Sequence, residues 1–122
     1  MIDRVRWAAN LGYAILLVIM ALIPSTSLVT ELSVPDWFAH GVAYGIQAAL
    51  IFWALLPSIG RHRALLMGVV GASVFGMVTE GLQLLQPGRS VEFNDLVANT
   101  VGAILVCGMI AGLGRFSAGI ER

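Results

Sequence analysis

Residues 64–85 read ALLMGVVGASVFGMVTEGLQLL, an apolar run in which Glu80 is the one charged side chain. A helix rising ~1.5 Å per residue crosses a hydrocarbon core in about 20 residues, and this run has that length. Backbone amides inside a bilayer find no water, so a spanning run has to bond internally as helix. Three more runs of the same kind surround it. One covers roughly 7–23 and stops at Pro24, one covers roughly 36–56 and stops at Pro57, and one covers roughly 95–113. The composition agrees: 58% of the 122 residues are hydrophobic and 11% are charged, against about 25% charged in a soluble domain. The expected fold is an all-α integral membrane four-helix bundle in a single domain, residues 1–122.

The punctuation supports those boundaries. Ser33 and Asp36 have capping-box spacing, with Pro35 in the tolerated first turn. Gln86-Pro87-Gly88-Arg89 has the Pro-then-Gly order of a type II turn. Asn94 is positioned to cap the fourth helix. Connections are short, so consecutive helices are expected to be antiparallel neighbours. Arg4, Arg6 and the apolar run after them also resemble a signal peptide, but the run is long for one and no Ala-x-Ala follows Ser25-Thr26-Ser27. The first helix is expected to be retained.

All seven basic residues are arginine, and formal net charge is zero. They are scattered, so the sequence offers no nucleic-acid surface. Arg4 and Arg6, Arg61 and Arg63, and Arg115 and Arg122 fall on one side of a four-span topology. Arg89 falls on the other with Glu31 and Glu92. The positive-inside rule then expects both termini in the cytoplasm. Trp7 and Trp37 suit the interfacial belt. Gly41/Gly45 and Gly108/Gly112 are two GxxxG pairs, and Gly68, Gly71, Gly76 and Gly81 line the third run. Such residues let helices approach closely, and they allow an oligomer. Cys107 reads as a small core residue.

The polar residues gather at one depth. Asp36, His40 and Tyr44 recur every four residues on one face of the second helix. Glu80 and Gln83 lie in the last two turns of the third, Arg89 in the following loop, and Asp95 and Asn99 at the start of the fourth. A buried carboxylate costs several kcal/mol unless paired or hydrated, so Glu80 is expected to face the bundle interior, with Arg89 as its natural partner. Plainer readings stand beside this. Asp36 fits a helix cap, His40 a hydrogen-bonded interior histidine, Tyr44 a packed or interfacial ring, and Glu80, Arg89, Asp95 and Asn99 a structural network. Gln47 reads as interhelical glue, Thr79 as a back-bonding hydroxyl, and Arg61, His62 and Arg63 as solvated loop residues. The chain has no HExxH, no Cys/His metal spacing, no P-loop and no Gly-x-Ser-x-Gly, so no cofactor or metal is expected.

At these residues the chain resembles the VanZ-like family of bacterial membrane proteins. One matching segment is Asp36-Trp37-Phe38-Ala39-His40-Gly41-Val42-Ala43-Tyr44. The other comprises Glu80 and Gln83, then Pro87-Gly88-Arg89, then Asp95 and Asn99-Thr100-Val101-Gly102. The family often has lysine where this chain has Trp37. The resemblance implies a cell-envelope protein, and the name-giving member is associated with teicoplanin resistance; it implies no defined reaction. Three functional classes follow. The outward-facing polar pocket binds a membrane lipid, a lipid-anchored glycopeptide or a cell-wall precursor. Alternatively, the protein is an enzyme acting on a lipid-linked headgroup at the outer leaflet, or a structural assembly subunit.

Overall fold

The computed structural model describes residues 1–23 and 34–120, with side chains through Arg115. Four helices account for nearly all of them: α1 (Ile2–Leu22), α2 (Asp36–Ile59), α3 (Arg61–Gln83) and α4 (Phe93–Ile120). Each is long and apolar enough to cross a membrane. The chain is a multi-pass, all-α four-helix membrane bundle.

Side-chain contacts fix the directions. Arg6, at the start of α1, lies over the Trp53 ring near the end of α2, 5.5 Å from its centroid. Arg61, at the start of α3, donates to the Ile110 carbonyl far along α4 at 2.6 Å. At the opposite end, Gln86 after α3 donates to the carbonyl of Leu22 at the end of α1. The helices therefore run alternately up and down. The starts of α2 and α4 and the end of α3 share one end of the bundle.

The interior is built from small and polar side chains. Ala48, Ala72, Ala103 and Cys107 form a buried cluster where α2, α3 and α4 meet. The largest fully buried side chains are Glu80, Asn99 and Thr79. Large apolar side chains such as Ile15, Leu16, Val74, Met77, Leu105 and Met109 point outward. That inversion suits a lipid solvent, which gives no hydrophobic reason to hide leucine and rewards close backbone packing instead. Glycine supplies the approach of α2 to α4. A Cβ at Gly102 would overlap the Gly41 backbone, and one at Gly45 would come within 2.7 Å of Val106. On α3, a Cβ at Gly68 would meet the Ala48 carbonyl at 2.7 Å. α1 packs on α2 and α3. It is tied there by Tyr13, which donates to the Ala43 carbonyl at 2.9 Å, and by Asn10, which accepts from Gln47 at 2.8 Å. Gln47 is thus interhelical glue, as its depth suggested.

Several sequence expectations need correcting. Pro57 does not stop α2; the helix runs on to Ile59. Proline in a last turn costs only one hydrogen bond to the carbonyl four residues back. Gly60 ends the helix instead, at φ +78, a conformation open to glycine at little cost. Its carbonyl then accepts from Ala64 at 2.9 Å and opens α3. One residue thus joins two helices, and Arg61, His62 and Arg63 form the first turn of α3 rather than a loop. α1 begins at Ile2 and not near residue 7, with an Arg6–Asp3 pair at 3.8 Å on its first turns. α3 ends at Gln83, two residues short of the expected Leu85. Asn94 lies inside α4, which starts at Phe93, so it is not the cap. α4 also extends past Leu113 to Ile120 and takes in Arg115. Gly108 and Gly112 meet nothing within 4 Å, so that GxxxG pair is not a seam of the bundle. The Gln86–Arg89 turn forms as expected, with Arg89 N–H donating to the Gln86 carbonyl at 3.3 Å and Gly88 at φ +79. Pro24, Ser25, Thr26, Ser27, Glu31, the Ser33 half of the capping box and Arg122 lie outside the described residues.

Candidate functional site

His40 stands at the centre of the polar end. It sits in the second turn of α2, four residues after Asp36, so both share a face. Its Nε2 lies 3.9 Å from Asp36 Oδ1 and 3.7 Å from Asp95 Oδ2 on α4. Its Nδ1 lies 3.2 Å from Asn99 Oδ1 and 3.4 Å from Glu80 Oε1 on α3. Three helices therefore deliver three carboxylates and one amide around a single imidazole. Tyr44, one turn further along α2, stacks against the ring with a centroid distance of 6.2 Å and an interplanar angle of 11°.

The sequence-selected residues meet as a group. Asp36, His40, Glu80, Asp95 and Asn99 touch through the imidazole. Tyr44 closes the floor beneath it through its hydroxyl and Thr79. Thr79 Oγ1 donates to the Gly76 carbonyl at 3.0 Å, so the Tyr44 hydroxyl is the donor to Thr79. Thr79 back-bonds as expected and has this second role as well. Gly76 gives Asn99 its place, since a Cβ there would lie 2.7 Å from Asn99 Nδ2.

Gln83 and Arg89 stand next door. With Gly88, Ser90, Glu92 and Asp95 they line an open, polar cavity of about 210 Å³. Asp95 belongs to both the cavity and the His40 cluster. The expected Glu80–Arg89 ion pair does not form: the ion pair of Glu80 is with His40. Five residues of turn and loop separate Arg89 from the end of α3, and Arg89 lines the cavity wall.

The interior of the cluster is incompletely satisfied. Glu80 is 1% exposed and Asp95 4%. Both carboxylate oxygens of Glu80, Asp95 Oδ1 and Asn99 Nδ2 are buried without a hydrogen-bond partner. A buried polar atom left unmade costs on the order of 1–3 kcal/mol, more when charged. This concentration of unmet hydrogen-bonding demand at one end of the bundle marks it as the candidate site.

No protein family, no curated protein and no solved structure matches the chain. The site is therefore read from its own residues.

Proposed function

We propose that this protein is a VanZ-like cell-envelope protein of a bacterial cytoplasmic membrane that binds the polar headgroup of a lipid or lipid-anchored molecule. The observation that carries this reading is the open polar cavity at one end of the bundle, with Arg89 on its wall and the buried His40 cluster behind Asp95. At roughly 30 Å³ per water, it has room for a headgroup-sized fragment. Its lining suits a ligand with both an anion and hydrogen-bonding hydroxyls or amines: Arg89 for the anion, Gln83, Ser90, Glu92 and Asp95 for the rest. The arginine asymmetry supports cytoplasmic termini and a cavity that faces outward. In that orientation the cavity reaches outer-leaflet headgroups and lipid-anchored antibiotics of the teicoplanin type, and the protein lowers susceptibility to them.

The test is expression in a susceptible bacterium at matched membrane levels. Wild type is compared with Gln83→Ala, Arg89→Ala and His40→Ala. Growth inhibition by teicoplanin is measured beside vancomycin, which lacks the lipid tail. Selective protection, lost in the variants, is the expected result. Absence of protection by wild type discards the resistance role, and protection that survives all three substitutions discards the cavity.

A further inference from the structure

The imidazole of His40 poses a charge problem that a proton or a metal ion can solve. Its Nδ1 faces two oxygens, Asn99 Oδ1 at 3.2 Å and Glu80 Oε1 at 3.4 Å. Nδ1 therefore carries a proton. Its Nε2 then faces two more carboxylate oxygens, Asp36 Oδ1 and Asp95 Oδ2. A bare nitrogen lone pair aimed at two carboxylates is repulsive. Nε2 can bear a second proton, accept a hydrogen bond from a protonated Asp36 or Asp95 carboxyl, or bind a cation. With a second proton, the one imidazolium charge faces three carboxylates, and Glu80 Oε1, Glu80 Oε2 and Asp95 Oδ1 stay buried and unbonded. A divalent cation supplies twice the charge at the point where Asp36 and Asp95 converge.

We propose that Asp36, His40 and Asp95 form a binding site for a first-row divalent cation, Zn²⁺ or Mn²⁺. One ligand atom from each residue lies within 4.8 Å of the other two. With the 3.7 Å and 3.9 Å separations above, an ion central to the three would sit about 2–2.5 Å from each, near the ~2.0–2.2 Å of zinc bonds to nitrogen and oxygen. One imidazole and two carboxylates favour a transition metal over Mg²⁺ or Ca²⁺, which prefer oxygen alone. The surroundings match those of a metal-ligating histidine, whose far ring N–H is held by an amide or carboxylate oxygen. Asn99 and Glu80 occupy that position. The Asp36 side chain is 50% exposed and gives the ion a way in. Three ligands leave coordination positions open toward the cavity that Asp95 borders. The sequence hides the site because its ligands come from two helices 59 positions apart.

The proposal does not depend on headgroup binding, and its test uses no lipid ligand. The full chain, purified in detergent, is equilibrated with Zn²⁺ or Mn²⁺, freed of excess, and its metal content measured. Co²⁺ loading is followed by visible absorption. About one equivalent per chain is expected, with a Co²⁺ band of mixed nitrogen and oxygen ligation. His40→Ala and Asp95→Asn abolish binding, and Glu80→Gln weakens it about 10- to 100-fold. His62→Ala, an exposed histidine outside the cluster, leaves binding unchanged. Asp36→Asn, at a half-exposed position, weakens binding whether or not the His40 and Asp95 variants fold. No stoichiometric metal on wild type overturns the proposal, as does metal that Asp36→Asn and the folded His40 or Asp95 variants retain in full.

Discussion

Replacing Gly102 by alanine adds one methyl group at the closest approach of α2 and α4. The new Cβ would lie within 3 Å of the Gly41 carbonyl oxygen, carbonyl carbon and Cα. All three are backbone atoms, so no rotamer change relieves the overlap. Ordinary carbon contacts sit at about 3.5–4.0 Å, so the helices must part by roughly 1 Å at that level. Overpacking of this kind costs about 1–3 kcal/mol. It outweighs the ~0.5–1 kcal/mol by which alanine otherwise favours a helix interior over glycine. The damage reaches the site, because His40 adjoins Gly41 and Asn99 lies one turn before Gly102. A 3.2 Å His40–Asn99 hydrogen bond does not survive a further ångström. The assay is reversible unfolding in mixed micelles, with three controls. Gly41→Ala meets only the Ala98 carbonyl at 3.5 Å, an ordinary contact, although Gly41 is the partner of Gly102. Gly108→Ala and Gly112→Ala meet nothing. These three are expected to be neutral or slightly stabilising. A Gly102→Ala protein as stable as wild type, or a Gly41→Ala protein equally damaged, refutes the packing argument.

Glu80 and His40 are energetically coupled, so a double-mutant cycle of Glu80→Gln with His40→Gln deviates from additivity by about 0.5–3 kcal/mol, while the cycle with Arg89→Gln stays near additive; the reverse ranking would restore the Arg89 pairing. Tyr44→Phe removes the donor to Thr79 and lowers unfolding stability by about 0.5–1.5 kcal/mol, and an unchanged midpoint would remove that bond from the account. In a Cys107→Ser background, a cysteine at exposed Ser90 reacts with an impermeant thiol reagent in intact spheroplasts and one at exposed Ser58 does not; the opposite pattern would turn the cavity toward the cytoplasm.

The four spans were legible because the bilayer imposes a length and forbids exposed amides, and both demands are written in apolar runs. The helix ends were not. Pro57 looked like a stop, yet a proline in a last turn forfeits so little that the positive φ of Gly60 decides the end. Arg61–Arg63 looked like a loop because charge dominates them, but Arg61 finds the Ile110 carbonyl and stays helical. At the site, four-residue spacing on α2 and matching depths on α3 and α4 sufficed to bring His40, Glu80, Asp95 and Asn99 together. Opposite charge at short range suggested Arg89 for Glu80, but sequence distance carries no information on where a Pro-Gly turn points a side chain. Asn10 and Tyr13 carry no signal in the sequence, because a single polar residue among apolar ones reveals its partner only when a second helix is laid against it.

The layer of Ala48, Ala72, Ala103 and Cys107 bears on how the polar cluster connects with the rest of the bundle. Buried histidine and carboxylates are the usual parts of proton and ion carriers. A conduit needs a relay continuing past the cluster, and here the Tyr44 hydroxyl passes its proton's bond to Thr79, whose own proton ends on the Gly76 carbonyl, a helix acceptor with nothing to hand on. Beyond that, α2, α3 and α4 meet on the methyl groups of Ala48, Ala72 and Ala103 and the Cys107 thiol, with the Gln47–Asn10 hydrogen bond and the buried Ser73 hydroxyl alongside. The hydrogen-bond chain that starts at the polar cluster therefore ends on the backbone of α3 itself.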